Sequence, residues 1–584
     1  MSREGGFRPQ VQETHGMVPR APKWAPCFDH PTELPWECAT IAVPMNHFNL
    51  SDERSFTIAL SKIPASKDKV KKGTVFTNPG GPGKYLALLT RGSGTAQNQG
   101  KSGPGLYRIL QGEYDLVGFD PRGINLTSPA VSCFENQLEQ YLFDLGSLSF
   151  NIPANLSLLR DGHLESQVAI SRAGIEAANR KCVEQVGEHL KYVSTADVIR
   201  DIHWMSRALD GDDAKINFFG TSYGTIVGQY LTMMTPPEKL GKVVIDGVVD
   251  AELWLEYGIN IFKQGLDDNN KVFGAFAQSC LDVGEECALS KHFQTVDDIL
   301  AAMDSLIDSL YLSPIPLDHP ALPSLSFQAG NLRLAYNAMA YSITSWKAFA
   351  GHIEDALFKS NFSGLPVGQP INLTEAALKP AQSERAGSAI FCADAKQWDL
   401  PKLTPREWTK AAMWGLETYT SRVGEFLSAL DHCDLWDIKF ENRYDRGFKL
   451  ENGTLETPIL ILSQLYDPVT PLVHATDALQ RFGDNSRLVV QSDGYGHCAI
   501  GQASLCTAKI LRDYYVNGIV PAESYTRCQV DQKPFLPWND TQAVLQHLDI
   551  SATNTEDFAE AVSLLEGLAM MGEGMRDQRT GLGL

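Results

Sequence analysis

The sequence has no run of eighteen apolar residues, so it offers no transmembrane helix. Its first residues, MSREGGFRPQVQETHG, contain no apolar stretch of the kind a signal peptide needs, and no signal is visible there. No Cys-x-x-Cys pair or His-rich cluster has zinc-ligand spacing, so no metal and no other cofactor is expected. Positive charge is in deficit: 50 Lys and Arg stand against 70 Asp and Glu, a net charge of -20. That balance argues against nucleic acid or an anionic membrane surface as partner. The one basic run, Lys67–Lys72, reads as a solvated loop. No internal repeat is apparent.

What is present is a hydrophobic content of 43% in 584 residues, enough for a sizeable core. The length suits either several ordinary domains or one large domain with insertions. There are 11 cysteines, several closely spaced: Cys27 with Cys38, Cys280 with Cys287, Cys506 with Cys528. Cys133 with Cys182 and Cys392 with Cys433 complete the expected disulfides. An odd thiol is then left, and Cys498 is assigned to it because a bridge there would tie down a loop argued below to be catalytic. Asn-x-Ser/Thr sequons occur at Asn49, Asn125, Asn155, Asn361, Asn372, Asn452 and Asn539, where about three would arise by chance. Cysteines and sequons together point to a secretory compartment. The alternative is a cytoplasmic protein with reduced thiols and unused sequons.

The chemistry centres on Lys215–Thr225, KINFFGTSYGT. A buried strand runs into Gly220-Thr221-Ser222-Tyr223-Gly224, a Gly-x-Ser-x-Gly elbow that lifts a serine hydroxyl to the end of a sheet. The helix Thr225–Met233 then places its positive end under that serine. Upstream, the helix Thr195–Leu209 has an apolar face of Val198, Ile199, Ile202, Met205 and Leu209, with Thr195 as its expected N-cap.

Strands are expected at Ala39–Val43, Ser55–Ile63, Gly73–Thr77, Tyr114–Asp120 and Lys242–Asp246, and again at Thr457–Leu462 and Arg487–Gln491. Alternation with helices implies a mostly parallel α/β sheet. Residues 251–450 change character. They read as a helical insertion, clearest in the spacing of Val296–Leu310, with loops at Pro314–Pro323 and Leu365–Pro370. The expected organisation is a poorly ordered arm at 1–23, core at 24–250, insertion at 251–450 and core again at 451–545. Beyond that comes a tail at 546–584, loosely held past Gly572.

Ser222, Asp467 and His497 follow the order serine, acid, histidine, each just past a strand. That is the order of the α/β-hydrolase triad. His497 would take the serine proton and Asp467 would hold the imidazole tautomer. Asp246 is the runner-up acid. Asn78–Gly83, NPGGPG, is a glycine-rich loop after a strand, and the backbone N–H groups of Gly81 and Tyr223 are the expected oxyanion donors. Asp120 and Arg122 read as a pair that fixes their own loop.

These segments resemble the tripeptidyl-aminopeptidase and proline-iminopeptidase-like α/β-hydrolases. The likeness is carried by NPGGPG, YDLVGFDPRG, GTSYGT, KVVIDGVVD, AIFCADA, SQLYDPVTP and GYGHC, in order over roughly residues 24–530. It implies an α/β-hydrolase core, a helical cap between the sixth and seventh strands, and a C-terminal segment completing the triad. The pattern departs at Lys84-Tyr85-Leu86, where family members carry small residues beside the acyl pocket. The implied activity is an exo-aminopeptidase acting on peptides; the alternative is an esterase, thioesterase or lactonase of a small metabolite. A catalytically dead binding protein is disfavoured because every triad position is filled. For an aminopeptidase, Glu252 and Glu256, one helical turn apart at the start of the cap, are candidates for the substrate ammonium.

Overall fold

The computed structural model describes residues 17–27, 34–82, 102–146, 150–256, 266, 268–317, 325–365, 373–381, 385–396, 402–423, 432–536 and 555–579. Lys84-Tyr85-Leu86, the sequons Asn372 and Asn539, residues 1–16 of the N-terminal arm and parts of both proline-rich loops lie outside them.

The strands in chain order are β1 (Ala25–Pro26), β2 (Glu37–Pro44), β3 (Ser55–Ile63), β4 (Thr74–Asn78), β5 (Asp115–Phe119), β6 (Ile216–Thr221), β7 (Leu240–Asp246), β8 (Ile315–Leu317), β9 (Leu325–Phe327), β10 (Ile459–Tyr466), β11 (Ser486–Tyr495) and β12 (Tyr525–Cys528). Ten of them form one sheet in the order β1-β2-β3-β5-β4-β6-β7-β10-β11-β12, while β8 and β9 make a separate antiparallel ribbon. Pairing is antiparallel from β1 through β3 to β5 and parallel from β5 to β12. The inner parallel strands β4 and β6 are buried at every position, as a sheet covered on both faces requires. Strand β1 is an element the sequence reading lacked. It is two residues long, paired to β2 and stapled by Cys27–Cys38.

From β4 the chain passes outward to β5, then returns to the opposite side of β4 as β6. This reversal opens a crevice at the carboxyl ends of β4 and β6, where ligands of such sheets bind. The loops leaving those ends are NPGGPG and the serine elbow.

Between β7 and β10 the described chain is mainly helical. The principal helices are Asn269–Asp282, Val296–Leu312, Ala329–Tyr341, Trp346–Lys359, Ala386–Asp394 and Pro405–Thr418. Their apolar faces join the sheet's core: Phe273, Phe276 and Trp346 belong to one buried cluster with Phe218 and Ile245.

Three local readings are corrected. The helix Thr195–Asp210 is capped by Ser194, whose side chain accepts from the Asp197 N–H, because the Thr195 hydroxyl is engaged elsewhere: it donates to Asp394. Arg122 does not pair with Asp120. Its guanidinium forks onto Asp201 at 2.5 and 2.6 Å and donates to the carbonyls of Pro44 and Met45, while Asp120 accepts from the Asn125 side chain. The tail at 546–584, read without any regular element, holds a packed one. Thr555–Arg579 is a helix whose Leu564, Leu565, Leu568 and Met571 are buried against the sheet's other face. Its Gly567 serves a close approach: a Cβ there would stand 2.9 Å from the Gly105 carbonyl oxygen.

All five expected disulfides are formed, and Cys498 is the remaining cysteine, buried as a thiol.

Candidate active site

Ser222 follows β6 with φ 55, a conformation that a non-glycine residue holds only under constraint. The constraint comes from both sides. Its N–H donates to the Asp246 carbonyl at the end of β7 (3.0 Å), and the helix Gly224–Met234 begins two residues later. Glycine is obligatory at the elbow because a Cβ on Gly220 would sit 2.3 Å from the Gly224 carbonyl oxygen, and one on Gly224 would sit 2.4 Å from that of Asn78.

The glycine-rich loop after β4 lies directly on the elbow. A Cβ on Gly80 would fall 2.7 Å from Ser222 Cβ and 3.0 Å from the Tyr223 nitrogen, and Gly80 has φ 92. The loop is held there by the Gly80 N–H, which donates to Asn78 Oδ1. Among the described residues, neither the Gly81 nor the Tyr223 backbone N–H donates to a protein acceptor. The Tyr223 side chain points into the core. Its hydroxyl is 2.8 Å from Thr195 Oγ1, and burial drives its pKa well above the ordinary phenol value.

Asp467 and His497 stand past β10 and β11. His497 Nδ1 is 2.9 and 2.8 Å from the two Asp467 oxygens. The same carboxylate accepts from the N–H groups of Val469, Thr470 and Cys498 and from the Thr470 hydroxyl. Burial works to raise the Asp467 pKa, but the charge and hydrogen bond of His497, with the N–H groups of Cys498 and Thr470, outweigh it and hold the carboxyl below its ordinary value.

The insertion also reaches His497, a contact with no signal in the sequence. The His497 backbone N–H donates to the Tyr341 carbonyl at the end of helix Ala329–Tyr341 (2.9 Å), and the two rings meet edge to face at 5.2 Å. Gly496 permits this, since a Cβ there would lie 2.9 Å from that carbonyl oxygen.

Asp246 is fully buried, and its carboxylate accepts from the N–H groups of Ala499 and Ile500. The acidic pair at the head of the insertion is arranged differently from the sequence expectation. The helix there is only Ala251–Trp254, so Glu256 lies beyond it and is exposed. Glu252 is committed to the Phe448 N–H and to Lys396. Another carboxylate of the insertion is linked to the elbow tyrosine through Thr195. Asp394, in the AIFCADA segment, is buried and accepts from the Thr195 backbone and hydroxyl and from the Trp254 indole, and that Thr195 hydroxyl also meets Tyr223. Burial pushes its pKa up to about 6 against these hydrogen bonds.

Asp467, His497 and Cys498 bring their ligand atoms within 4.8 Å of one another. The carboxylate and imidazole of that group are already bonded to each other, so the cluster is counted with the candidate site.

Residues 420–528 match the TAP-like protein family, a span that includes Asp467 and His497. Serine protease Hip1 of Mycobacterium tuberculosis is 24% identical over 521 residues, covering 85% of this chain and 89% of its own. The tripeptidyl aminopeptidase of Streptomyces lividans is 24% identical over 534 residues, covering 86% of each. A carboxylesterase B of M. tuberculosis is 25% identical over 505 residues, covering 84% of this chain and 86% of its own. With this sheet order, the serine elbow at its switch point and relatives matching along most of its length, the chain is a serine hydrolase of the α/β-hydrolase fold, similar to the TAP-like protein family over residues 420–528 and to tripeptidyl aminopeptidase along most of its length.

Proposed function

We propose that the protein is an exo-aminopeptidase that cleaves through an acyl-enzyme on Ser222, with His497 as general base and Asp467 as its partner. The observation that carries this is the fully buried His497–Asp467 contact of 2.8 Å, formed beside the elbow on which Ser222 is held at φ 55. In the first half-reaction the Ser222 hydroxyl gives its proton to His497 and attacks the carbonyl carbon. The proton then passes to the departing amine. Water repeats the sequence on the ester. The Gly81 and Tyr223 N–H groups would receive the oxyanion.

The peptidase reading is supported by the names of the relatives. The esterase alternative is supported by the carboxylesterase among them and by Glu252, whose carboxylate already has partners. A panel of aminoacyl and peptidyl anilides, run beside short-chain esters, separates the two. Free-amine peptides should be cleaved and their N-acetylated forms should not. Equal cleavage of both refutes the aminopeptidase. If an ammonium is bound by Glu252 or Glu256, changing either to Gln should raise KM for free-amine substrates alone.

A secretory location is part of the same proposal. It is supported by five disulfides and by the exposed sequons Asn49, Asn155, Asn361 and Asn452. Asn125 does not suit a glycan, because its side-chain nitrogen donates to Asp120 at 2.8 Å.

A further inference from the structure

Asp246 ends β7 and is wired to both loops of the site. Its backbone carbonyl accepts the Ser222 N–H at 3.0 Å. Its carboxylate oxygens accept one N–H each, Oδ1 from Ala499 at 2.7 Å and Oδ2 from Ile500 at 3.0 Å. These two donors open the 3-10 turn Ala499–Gly501 that follows His497 and Cys498. The next N–H upstream, that of Cys498, goes to Asp467 Oδ2 at 2.9 Å. Three consecutive backbone donors are therefore held by two carboxylates, a nest that fixes the path of the chain.

That path needs holding. Cys498 has φ 65 and ψ 145, a region costly for any side chain. Its thiol rests where Gly247, at φ 65, leaves space: a Cβ on Gly247 would be 2.4 Å from Cys498 Sγ. The thiol itself lies 3.5 Å from the Asp246 carbonyl oxygen. The loop is thus seated on Asp246 and Gly247 together.

We propose that Asp246 is a positioning residue of the hydrolytic site: its carboxylate clamps the strained loop that carries His497, while its carbonyl clamps the elbow that carries Ser222, so that one residue sets the distance between nucleophile and base. This rests on the triad reading above. Burial pushes the Asp246 pKa up to about 7, against the backbone N–H groups of Ile500, Ala499 and Gly247 that favour its ionised form, with the charge of Asp467 adding to the rise. A buried carboxyl is costly at the end of a sheet strand, and the clamp explains its presence there.

Asp246→Asn keeps the shape and one acceptor but turns an NH2 toward the second backbone N–H. It should lower kcat by about 10- to 100-fold and leave KM within about twofold. Because the effect acts through His497, the double variant with His497→Ala should be no slower than His497→Ala alone. A merely structural role gives additive losses and overturns the proposal. A kcat above half of wild type also overturns it, as does a loss equal to that of Asp467→Asn, which would make Asp246 the acid itself.

If Asp246→Asn does not fold, Ala499→Pro removes the donor facing Oδ1 at the first position of the 3-10 turn, where proline is tolerated, and the same kcat criterion applies. A fluorophosphonate probe separates the two levels of the argument. Failure to label Ser222 in the wild type sinks the triad reading, whereas normal labelling with an unimpaired Asp246→Asn sinks only the clamp.

Discussion

His497 Nδ1 lies 2.8 Å from Asp467 Oδ2, and neither side chain is exposed to solvent. A carboxylate held by three backbone N–H groups, a hydroxyl and an imidazole has one orientation available. It therefore fixes the ring tautomer, with the proton on Nδ1 and the lone pair on Nε2. The first prediction follows directly. Asp467→Asn should cut kcat on the order of 10⁴-fold, since the amide favours the wrong tautomer. The loss should far exceed that of Asp246→Asn, and steady-state kinetics giving the reverse ranking would reassign the acid.

Ser222→Ala should abolish turnover, with a loss of about 10⁴- to 10⁶-fold. The melting temperature should be unchanged or slightly higher, because alanine relieves nothing that holds the elbow together. Retention of more than a tenth of wild-type activity would remove Ser222 as nucleophile.

Gly80→Ala tests whether the glycine-rich loop must touch the elbow. The added Cβ would stand 2.6 Å from the Thr221 carbonyl oxygen and 2.7 Å from Ser222 Cβ, all of it stiff structure, at a φ of 92. The expected cost is about 1–3 kcal/mol of stability together with a fall in kcat, as the oxyanion donors are pushed apart. Chemical denaturation and kinetics on the same sample check both; a variant matching wild type in each would show the contact to be slack.

The disulfides should differ in weight. Cys133–Cys182 closes 49 residues and Cys280–Cys287 closes 7. Loop entropy alone gives about 4 and about 2 kcal/mol respectively. Replacing both cysteines of each pair by serine and comparing denaturation midpoints measures the difference. A larger loss at the short loop would mean that native-state effects outweigh chain entropy.

Asp394 makes a pH prediction with a definite sign. Its folded pKa is raised from 3.8 to about 6, so the folded state binds the proton more tightly than the unfolded chain does. Its contribution to stability is fully present below about pH 4 and is lost as pH rises through about 6, by up to about 3 kcal/mol. The stability of the wild type relative to Asp394→Asn should therefore fall between pH 4 and pH 7. A flat difference over that window would show that Asp394 ionises normally.

The sequence by itself determined the parts whose constraints are local. A buried strand stopping at Gly220-Thr221-Ser222-Tyr223-Gly224 has few ways to turn, and β6 ends there with Ser222 at positive φ. The apolar runs of β4, β7, β10 and β11 announced a covered parallel sheet, and the order of Ser222, Asp467 and His497 along them carried the candidate site. Close spacing carried the disulfides Cys27–Cys38, Cys280–Cys287 and Cys506–Cys528, and setting Cys498 aside as part of the catalytic loop left the other four cysteines to pair.

Contacts between residues far apart in the chain were decided only by the tertiary structure. Asp246 and Asp467 both follow apolar strands and are indistinguishable as local patterns. Which carboxylate meets the imidazole depends on where the loop after β11 crosses β7 and β10. Arg122 had Asp120 two residues away, yet its fork fits Asp201 on a packed helix. The partners of Gly567 and Gly572, Gly105 and the Ile500 carbonyl, are brought alongside only by folding. Periodicity reports the face an element buries. The identity of the group waiting on the other side is set by packing, which no local pattern encodes.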